Sequence, residues 1–154
     1  MSTSAQPGGD WRRERRWLGY AGLLPFLACL GVLWSSDNAL WRDTAASTLR
    51  GYAAVIASFL GAVHWGVAAA AGERLRRARL RWGVMPALIA WTLLQLPDTH
   101  AFVGFALLFV LILIVDRYLL PVLDEQYREL RLQLSLVVIA ALALTAWVTR
   151  GGSV

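Results

Sequence analysis

The sequence predicts an all-α fold, a polytopic membrane helix bundle with five transmembrane helices. Composition is the first reason, because 58% of the 154 residues are apolar, eight are Trp and the mean hydropathy is +0.53. Five separate apolar runs are the second reason, and clusters of arginine between those runs are the third. A chain this short and this apolar is neither a multidomain protein nor an ordinary soluble domain.

The apolar runs define the predicted spans. A helix of about 20 residues crosses a hydrocarbon core about 30 Å thick. The third run reaches only about 22 Å, so it needs its flanking residues or a thinner bilayer. A turn with the sequence PDTH, residues 97–100, predicts a tight hairpin between the third and fourth spans. The spans lie at about residues 17–34, 51–71, 82–96, 101–119 and 130–148 of a transmembrane domain covering 17–149, after a basic tail, residues 1–16, that we expect to be disordered.

The arginines predict the orientation. All fifteen basic residues are Arg, a habit of GC-rich bacterial genomes, and twelve of them lie inside if the N-terminus is cytoplasmic. Only Arg42, Arg50 and Arg150 then lie outside, which is a strong positive-inside signal. We therefore expect a multi-pass protein of the bacterial inner membrane whose arginine runs contact anionic lipid heads. Each run abuts an apolar span, so no separate domain remains to bind nucleic acid.

The first span contains Pro25 in the motif GLLPF. A proline inside a helix removes a backbone hydrogen bond, so we expect a kink that frees a carbonyl for a side chain. The arginine-rich head before this span resembles the start of a signal peptide. No small-x-small cleavage site follows, however, and Trp34 ends the run as an interfacial anchor would. We expect the first span to be retained.

The second span carries the densest pattern. At about 100° per residue, its bulky side chains fall on one side of the helix, while small residues gather on the other side together with His64 and Trp65. The small side includes Ser58 and a small-x-x-x-small seam formed by Ala57 and Gly61. Such seams let helix backbones approach closely in lipid. We expect this helix at the centre of the bundle, with His64 facing protein.

His64 is the main candidate functional residue, because an ionisable side chain inside a membrane is costly and faces the bundle interior. Three interpretations stay open: a structural hydrogen bond to a neighbouring helix, which is favoured; a proton-carrying or ligand-contacting group; and a haem or metal ligand. The last is least favoured, because His100 lies in the outer turn about 15 Å or more away in depth. The sequence predicts no cofactor and no catalytic site, since CxxC, HExxH, GxSxG and phosphate-loop motifs are absent from it.

Arg50 and Asp116 are the remaining charged candidates. Arg50 lies near the outer surface and could pair with Asp43 or Asp98, although a snorkelling arginine is commoner at the end of a membrane helix. Asp116 and Arg117 mark the cytoplasmic end of the fourth span. A solvated pair at the membrane boundary is the simple interpretation of these two residues.

Four motifs occur along the chain in the order LGYAGLLPF, SFLGAVHWG, VMPALIAW and VDRYLLP. In this order and spacing, the chain resembles the family of small membrane proteins called domain of unknown function 3429, a transmembrane protein 69-like family. The resemblance covers about residues 18–147, and SFLGAVHWG is its most specific part. It implies a multi-span inner-membrane protein of bacteria or mitochondria, and it implies no activity.

Two functions stay open at this point. The favoured one is a non-enzymatic small subunit or assembly or scaffold module of a membrane complex, because short helices with small-residue seams and interfacial Trp suit a membrane-protein partner. The alternative is a minimal proton-linked or small-molecule transporter in which Pro25, His64, Thr92 and Gln95 line a path. Polar groups converging on one cavity would favour the transporter. A filled core with an exposed small-residue groove would favour the module.

Overall fold

The fold is a helical bundle, seen in a computed structural model that describes residues 10–68, 73–120 and 124–150. Apart from short turns, these ranges are helical, which confirms the all-α prediction. The helices in these ranges are α1 (Asp10–Ala21), α2 (Leu24–Ser35), α3 (Ala39–Ala68), α4 (Glu73–Leu93), α5 (Asp98–Leu119) and α6 (Glu125–Arg150).

One end of the bundle collects most of the arginines, and we call it the arginine end. The start of α1 meets the start of α6 there, through an ion pair of 3.7 Å between Arg15 and Asp124. The start of α4 meets the ends of α3 and α5 through Arg79, which donates to backbone carbonyls of both helices. Arg42, Arg50 and Arg150 belong to the opposite end, as the positions of the helix termini require.

The first predicted span is a helical segment broken near its middle. α1 ends at Ala21 and α2 begins at Leu24, with Pro25 in the first turn of α2, where a proline does not interrupt hydrogen bonding. The carbonyl of Gly22, released by the break, accepts a hydrogen bond of 2.9 Å from the Tyr52 hydroxyl. The expected kink and its freed carbonyl are therefore both present.

α3 is the central helix, and it begins twelve residues before the predicted second span. Asn38 explains the early start, because its side-chain oxygen accepts a hydrogen bond of 2.9 Å from the backbone amide of Leu40, as an N-cap does. α3 packs against α2, α4 and α5. Small residues supply most of its buried face, which consists of Ala45, Ala46, Leu49, Ala53, Ala57, Gly61, His64 and Ala68.

The most extensive helix–helix interface lies between α3 and α4. Gly61 and Gly83 face each other in it, and a Cβ atom on Gly61 would lie 2.8 Å from the Gly83 carbonyl oxygen and 3.0 Å from Cγ of Pro86. The Trp65 indole lies directly on Gly83. The two backbones can approach this closely only because neither glycine carries a side chain.

The predicted hairpin between the third and fourth spans is present, because α4 ends at Leu93 and α5 begins at Asp98. Its turn lies at residues 94–97 rather than at the predicted 97–100, because Pro97 precedes the first residue of α5 and residues 98–100 are helical. α5 and α6 then pack along each other. The middle of the bundle is filled by fully buried apolar side chains, namely Phe26, Leu49, Phe102, Phe105, Phe109 and Leu142. The rings of Phe26 and Phe109 meet edge to face with centroids 6.4 Å apart.

Four segments of the described chain are long and apolar enough to cross a bilayer: Arg13–Ser35, Ala39–Ala68, Asp98–Leu119 and Glu125–Arg150. α4 does not reach the same hydropathy, because its first half consists of the arginine run. The outer surface carries large apolar side chains along these helices, including Trp17, Leu24, Phe59, Leu107 and Leu136. A surface of this kind suits lipid rather than water.

Several boundaries differ from those predicted by the sequence. Residues 10–16 of the expected disordered tail form the first turns of α1, while residues 1–9 lie outside the described residues. The arginine run from Glu73 to Arg81 is helical and continues directly into the third predicted span. Arg, Leu and Ala all favour helix, so a helix extends through this charged stretch. Apolarity shows where a helix meets lipid, and it does not show where the helix begins.

Candidate functional site

Three ionisable side chains meet in the interior of the arginine end. Asp116 of α5 lies between His64 of α3 and Arg131 of α6. Arg131 donates from Nε to the Asp116 oxygen Oδ2, and Nε2 of His64 lies 3.4 Å from the other oxygen, Oδ1. All three side chains are buried. We call His64, Asp116 and Arg131 the charge cluster.

The charge cluster lies one to two helical turns inside the arginine end. His64 precedes the end of α3 by four residues, Asp116 precedes the end of α5 by three, and Arg131 follows the start of α6 by six. At about 1.5 Å per residue, these offsets place the side chains roughly 4 to 9 Å from the helix ends. Three helices that are distant in sequence therefore deliver ionisable groups to one depth.

Arg131 organises the charge cluster. Besides Asp116, its guanidinium donates from Nη1 to the Tyr127 hydroxyl at 3.1 Å and from Nη2 to the Leu60 carbonyl at 3.3 Å. The guanidinium carbon also lies over the Tyr127 ring, 6.0 Å from its centroid. With acceptors for each of its nitrogens on α3, α5 and α6, the planar fork is held in one position. Arg131 thereby connects α6 to α3 and α5.

The other two members of the charge cluster keep unsatisfied polar atoms. Within the described residues, neither ring nitrogen of His64 forms a hydrogen bond, and Oδ1 of Asp116 has none either. The distance of 3.4 Å between His64 Nε2 and Asp116 Oδ1 would become a hydrogen bond after a small shift. Unsatisfied groups at such a depth are costly and mark candidate functional positions. The arrangement can hold a proton between imidazole and carboxylate.

A second buried arginine, Arg79, closes the arginine end. It is 1% exposed, and it donates from Nε to the Leu119 carbonyl at 2.7 Å and from Nη1 to the Val67 carbonyl at 3.3 Å. These carbonyls lie in the last turns of α5 and α3, where backbone acceptors lack partners in their own helix and the helix dipole is negative. The sequence grouped Arg79 with arginines that contact lipid heads, but it lies inside and joins three helices.

Ser58, Trp65 and Pro25 are separate from the charge cluster. Ser58 donates from Oγ to its own helix at the Ala54 carbonyl, 2.8 Å away. Trp65 is exposed, and its indole nitrogen donates to the Leu80 carbonyl at 3.1 Å, which adds to the contact between α3 and α4. Pro25 lies in the first turn of α2. Each of these side chains has a local structural partner or position.

Arg50 lies at the opposite end of the bundle. It pairs with Asp98 at 2.7 Å and donates to the Leu96 carbonyl at 3.1 Å. From the sequence, a snorkelling Arg50 was the commoner interpretation and an ion pair the less common one. The structure shows the ion pair with Asp98. His100 lies exposed in the first turn of α5, and the helix rises about 24 Å from there to Asp116. His100 and His64 are thus at different ends.

The prediction that Asp116 and Arg117 form a solvated boundary pair is wrong. Asp116 is buried against Arg131, while Arg117 is exposed. Neighbouring residues on a helix point about 100° apart, so one can face the core and the other the surface. Arg131 and Tyr127 were not predicted as members of the site. The available signal was the position of Arg131 inside the fifth apolar run, because an arginine there needs a partner.

The spans and the charge cluster define a multi-pass helical membrane protein with ionisable groups buried between its helices. A family model described as Protein of unknown function (DUF3429) matches residues 11–147, and the chain belongs to this family. Transmembrane protein 69 of Xenopus tropicalis is 32% identical over 137 residues, which covers 86% of this chain and 53% of that protein. The chain therefore spans about half the length of this relative. No solved structure matches it.

Proposed function

We propose that the chain crosses the bacterial inner membrane five times with its arginine end in the cytoplasm. The pairing of α4 along α3 supports the fifth crossing, because Arg79 contacts Val67 near one end and Arg50 contacts Leu96 near the other. The 21 residues of α4 reach about 31 Å, so the helix runs from the arginine end to the opposite end of the bundle. The concentration of arginine at one end supports the orientation.

Cysteine labelling tests this topology. In a Cys29→Ser background, Arg150→Cys should react with a membrane-impermeant maleimide in intact spheroplasts, and Arg76→Cys should react only after lysis. The five-crossing arrangement puts three crossings between the two positions, because Arg76 lies at the start of α4 and Arg150 ends α6, so they must lie on opposite sides of the membrane. Equal reactivity of the two cysteines in intact spheroplasts would contradict five crossings.

Within that membrane, we propose a non-enzymatic module, a small subunit or assembly factor of a larger membrane complex. The observation that carries this proposal is the apolar filling of the bundle beyond the charge cluster, which includes Phe102, Phe105 and Phe109. A carrier needs polar groups at successive depths, and a largely apolar filling favours the module. The outer side of α3 also offers room for a partner helix, because a Cβ atom on Gly51 or Gly66 would meet nothing within 4 Å.

The charge cluster supports a second candidate, a proton-linked transporter that uses His64. An unsatisfied imidazole beside an unsatisfied carboxylate oxygen is the arrangement expected of a proton-binding site in a membrane. The other residues first assigned to this path lie apart from His64, since Thr92 and Gln95 are exposed on or near α4. The second candidate therefore depends on the charge cluster alone.

The two candidates differ in what His64 must do. For a module, His64→Gln should preserve both membrane abundance and complementation of a deletion strain, and His64→Leu should lower stability by about 1 kcal/mol. For a proton-linked transporter, both substitutions should abolish complementation while the protein still accumulates, because neither side chain titrates near neutral pH. A normally folded His64→Gln protein without function would overturn the module.

A partner should be found by purification in mild detergent and mass spectrometry of the proteins that remain bound. A Cβ atom on Gly66 would meet nothing within 4 Å, so Gly66→Leu should release a partner helix at this position and change thermal stability little. Leu107→Phe, on the exposed side of α5, serves as the control for a general change of surface. Retention of the same proteins by Gly66→Leu would show that α3 is not the contact surface.

A further inference from the structure

A cleft of about 500 Å³ opens beside the charge cluster, between α1, α3 and α6. Apolar side chains form its depth, among them Leu23, Ile56, Leu134 and Val138. All of its ionisable side chains stand at its arginine end, where Glu14, Arg15, Tyr127 and Arg131 line it, and Ser135 lines it one turn of α6 beyond Arg131. We call this space the α1–α6 cleft.

The break between α1 and α2 explains why the cleft exists. The helix is interrupted at Gly22 and Leu23; α1 contacts α6, whereas α2 packs mainly against α3. Gly19 lies at the wall of the cleft next to Leu134 of α6, where a Cβ atom would come within 2.8 Å of Leu134 Cδ1. The Tyr52 hydroxyl holds the Gly22 carbonyl and thereby fixes the break in place. The cleft is thus built by the same kink that the sequence predicts.

The position of the cleft in the membrane limits what can fill it. Trp17, exposed on α1, marks the level of the lipid head groups, and the exposed Phe59 borders the cleft on the lipid-facing side of α3. An opening toward hydrocarbon will not stay empty, because its lining atoms would lose dispersion contacts on that side. The molecules present there at high concentration are lipids, whose chains match the apolar depth.

The charges at the mouth favour an anionic lipid. α1 carries four arginines against two acidic residues, Asp10 and Glu14. Arg15 holds Asp124 at 3.7 Å, which is longer than a direct hydrogen bond, and lies over the Tyr127 ring at 5.3 Å. A phosphate arriving at the end of the cleft would therefore lie beside the Arg15 guanidinium, which lines the cleft there. Arginine binds phosphate through several donors in a planar fork.

We propose that the α1–α6 cleft binds one anionic phospholipid of the bilayer, with an acyl chain along Ile56 and Leu134 and its phosphate at Arg15. The proposal requires that the chain lies in a membrane, and it holds for either function considered above. Glu14 at the mouth limits how much negative charge the site accepts, so a phospholipid with a single phosphate and no other acidic group fits best. Phosphatidylglycerol is the bilayer lipid of this chemistry used in the test.

The full-length protein can be purified in a mild detergent, supplied with equal amounts of phosphatidylglycerol and phosphatidylcholine, and examined by native mass spectrometry. We expect one tightly retained phosphatidylglycerol, and a larger increase in melting temperature with phosphatidylglycerol than with phosphatidylcholine. Arg15→Gln should weaken retention of phosphatidylglycerol roughly fivefold, the effect of one arginine near an anionic surface, and leave phosphatidylcholine unchanged. Arg81→Gln, an exposed arginine of α4 away from the cleft, should change neither.

A steric variant tests the acyl-chain part of the proposal. Leu134→Trp enlarges a side chain that lines the cleft, so the retained lipid should be lost, whereas Leu144→Trp near the other end of α6 should keep it. Both proteins are first checked for a normal melting temperature in detergent alone. If Leu134→Trp unfolds, Ile56→Trp replaces it on the opposite wall of the cleft. Equal retention of the two lipids by the wild type, retention by a folded cleft variant, or a dimer in place of a lipid adduct would overturn the proposal.

Discussion

The two ends of the bundle each contain an aspartate–arginine pair between distant residues, and the two pairs differ in burial. At the arginine end, the side chains of Asp116 and Arg131 are each 8% exposed. At the opposite end, those of Asp98 and Arg50 are 42% and 22% exposed. An exposed pair gains little because water and salt screen it, whereas a buried pair has lost its hydration and depends on its partner. The same chemistry should therefore have different consequences at the two ends.

The surroundings of the two pairs extend this difference. Arg131 reaches three helices, and His64 adds a further ionisable group to the same site. At the opposite end, Arg50 adds only the Leu96 carbonyl. Neighbouring contacts there are made by exposed or small groups, such as the stacked rings of Trp34 and Trp147 with centroids 6.3 Å apart. The arginine end is the part of the molecule where removing one charge leaves others unpaired.

The largest effect is expected from Asp116→Asn. This substitution keeps the shape of the side chain and removes the charge that balances Arg131, so the guanidinium remains buried without a counter-ion. Breaking a buried pair in this way costs about 3 to 5 kcal/mol. Unfolding in detergent, followed by circular dichroism during titration with sodium dodecyl sulfate, measures the loss.

A double variant serves as the control for Asp116→Asn. Asp116→Leu combined with Arg131→Met replaces both charges by apolar groups of similar size, which is often neutral for a buried pair. We expect the double variant to be more stable than Asp116→Asn. If Asp116→Asn instead keeps the stability of the wild type, the buried charge of Arg131 does not depend on Asp116. The proposed difference in stability between the two ion pairs would then be wrong.

A smaller effect is expected at the helix crossing that holds α4 at the arginine end. Gly61→Leu places a large side chain against the Gly83 carbonyl and Pro86, where even a Cβ atom is too close, so overpacking should cost about 1 to 3 kcal/mol. Gly66→Leu lies five residues further along α3 with nothing near its Cβ atom, and it should cost much less. Equal melting temperatures for the two variants would mean that α3 and α4 do not approach at Gly61.

The sequence could predict the features that depend on local patterns. The kink at Pro25, the existence of a tight hairpin before α5 and the central position of α3 follow from proline chemistry, turn chemistry and the spacing of small residues. Membership in the family was also visible from short motifs. In each of these cases, the residues that determine the feature lie within a few turns of each other.

The charge cluster could be predicted only in part, because its members are brought together by packing. His64 was visible as an ionisable residue in an apolar run, but its neighbour Asp116 comes 52 positions later and Arg131 a further 15. Helical periodicity gives the face that each residue occupies and does not state which helices meet. Arg79 shows the same limit, since its run of arginines suggested lipid contact and only the packing of α4 against α3 and α5 turns it inward.

The smallest effect is expected from Asp98→Asn, which is the same substitution as Asp116→Asn made at the opposite end. The exposed pair with Arg50 contributes about 0.2 to 1 kcal/mol, and Asp98 in the first turn of α5 adds a helix-dipole interaction of similar size. Salt should reduce the loss further, because the Debye length falls from about 8 Å to about 3 Å between 0.15 M and 1 M. The loss from Asp116→Asn should stay constant over that range. Unfolding titrations of both variants at the two salt concentrations measure these losses of stability. If Asp98→Asn loses as much stability as Asp116→Asn at either concentration, burial does not distinguish the two ends.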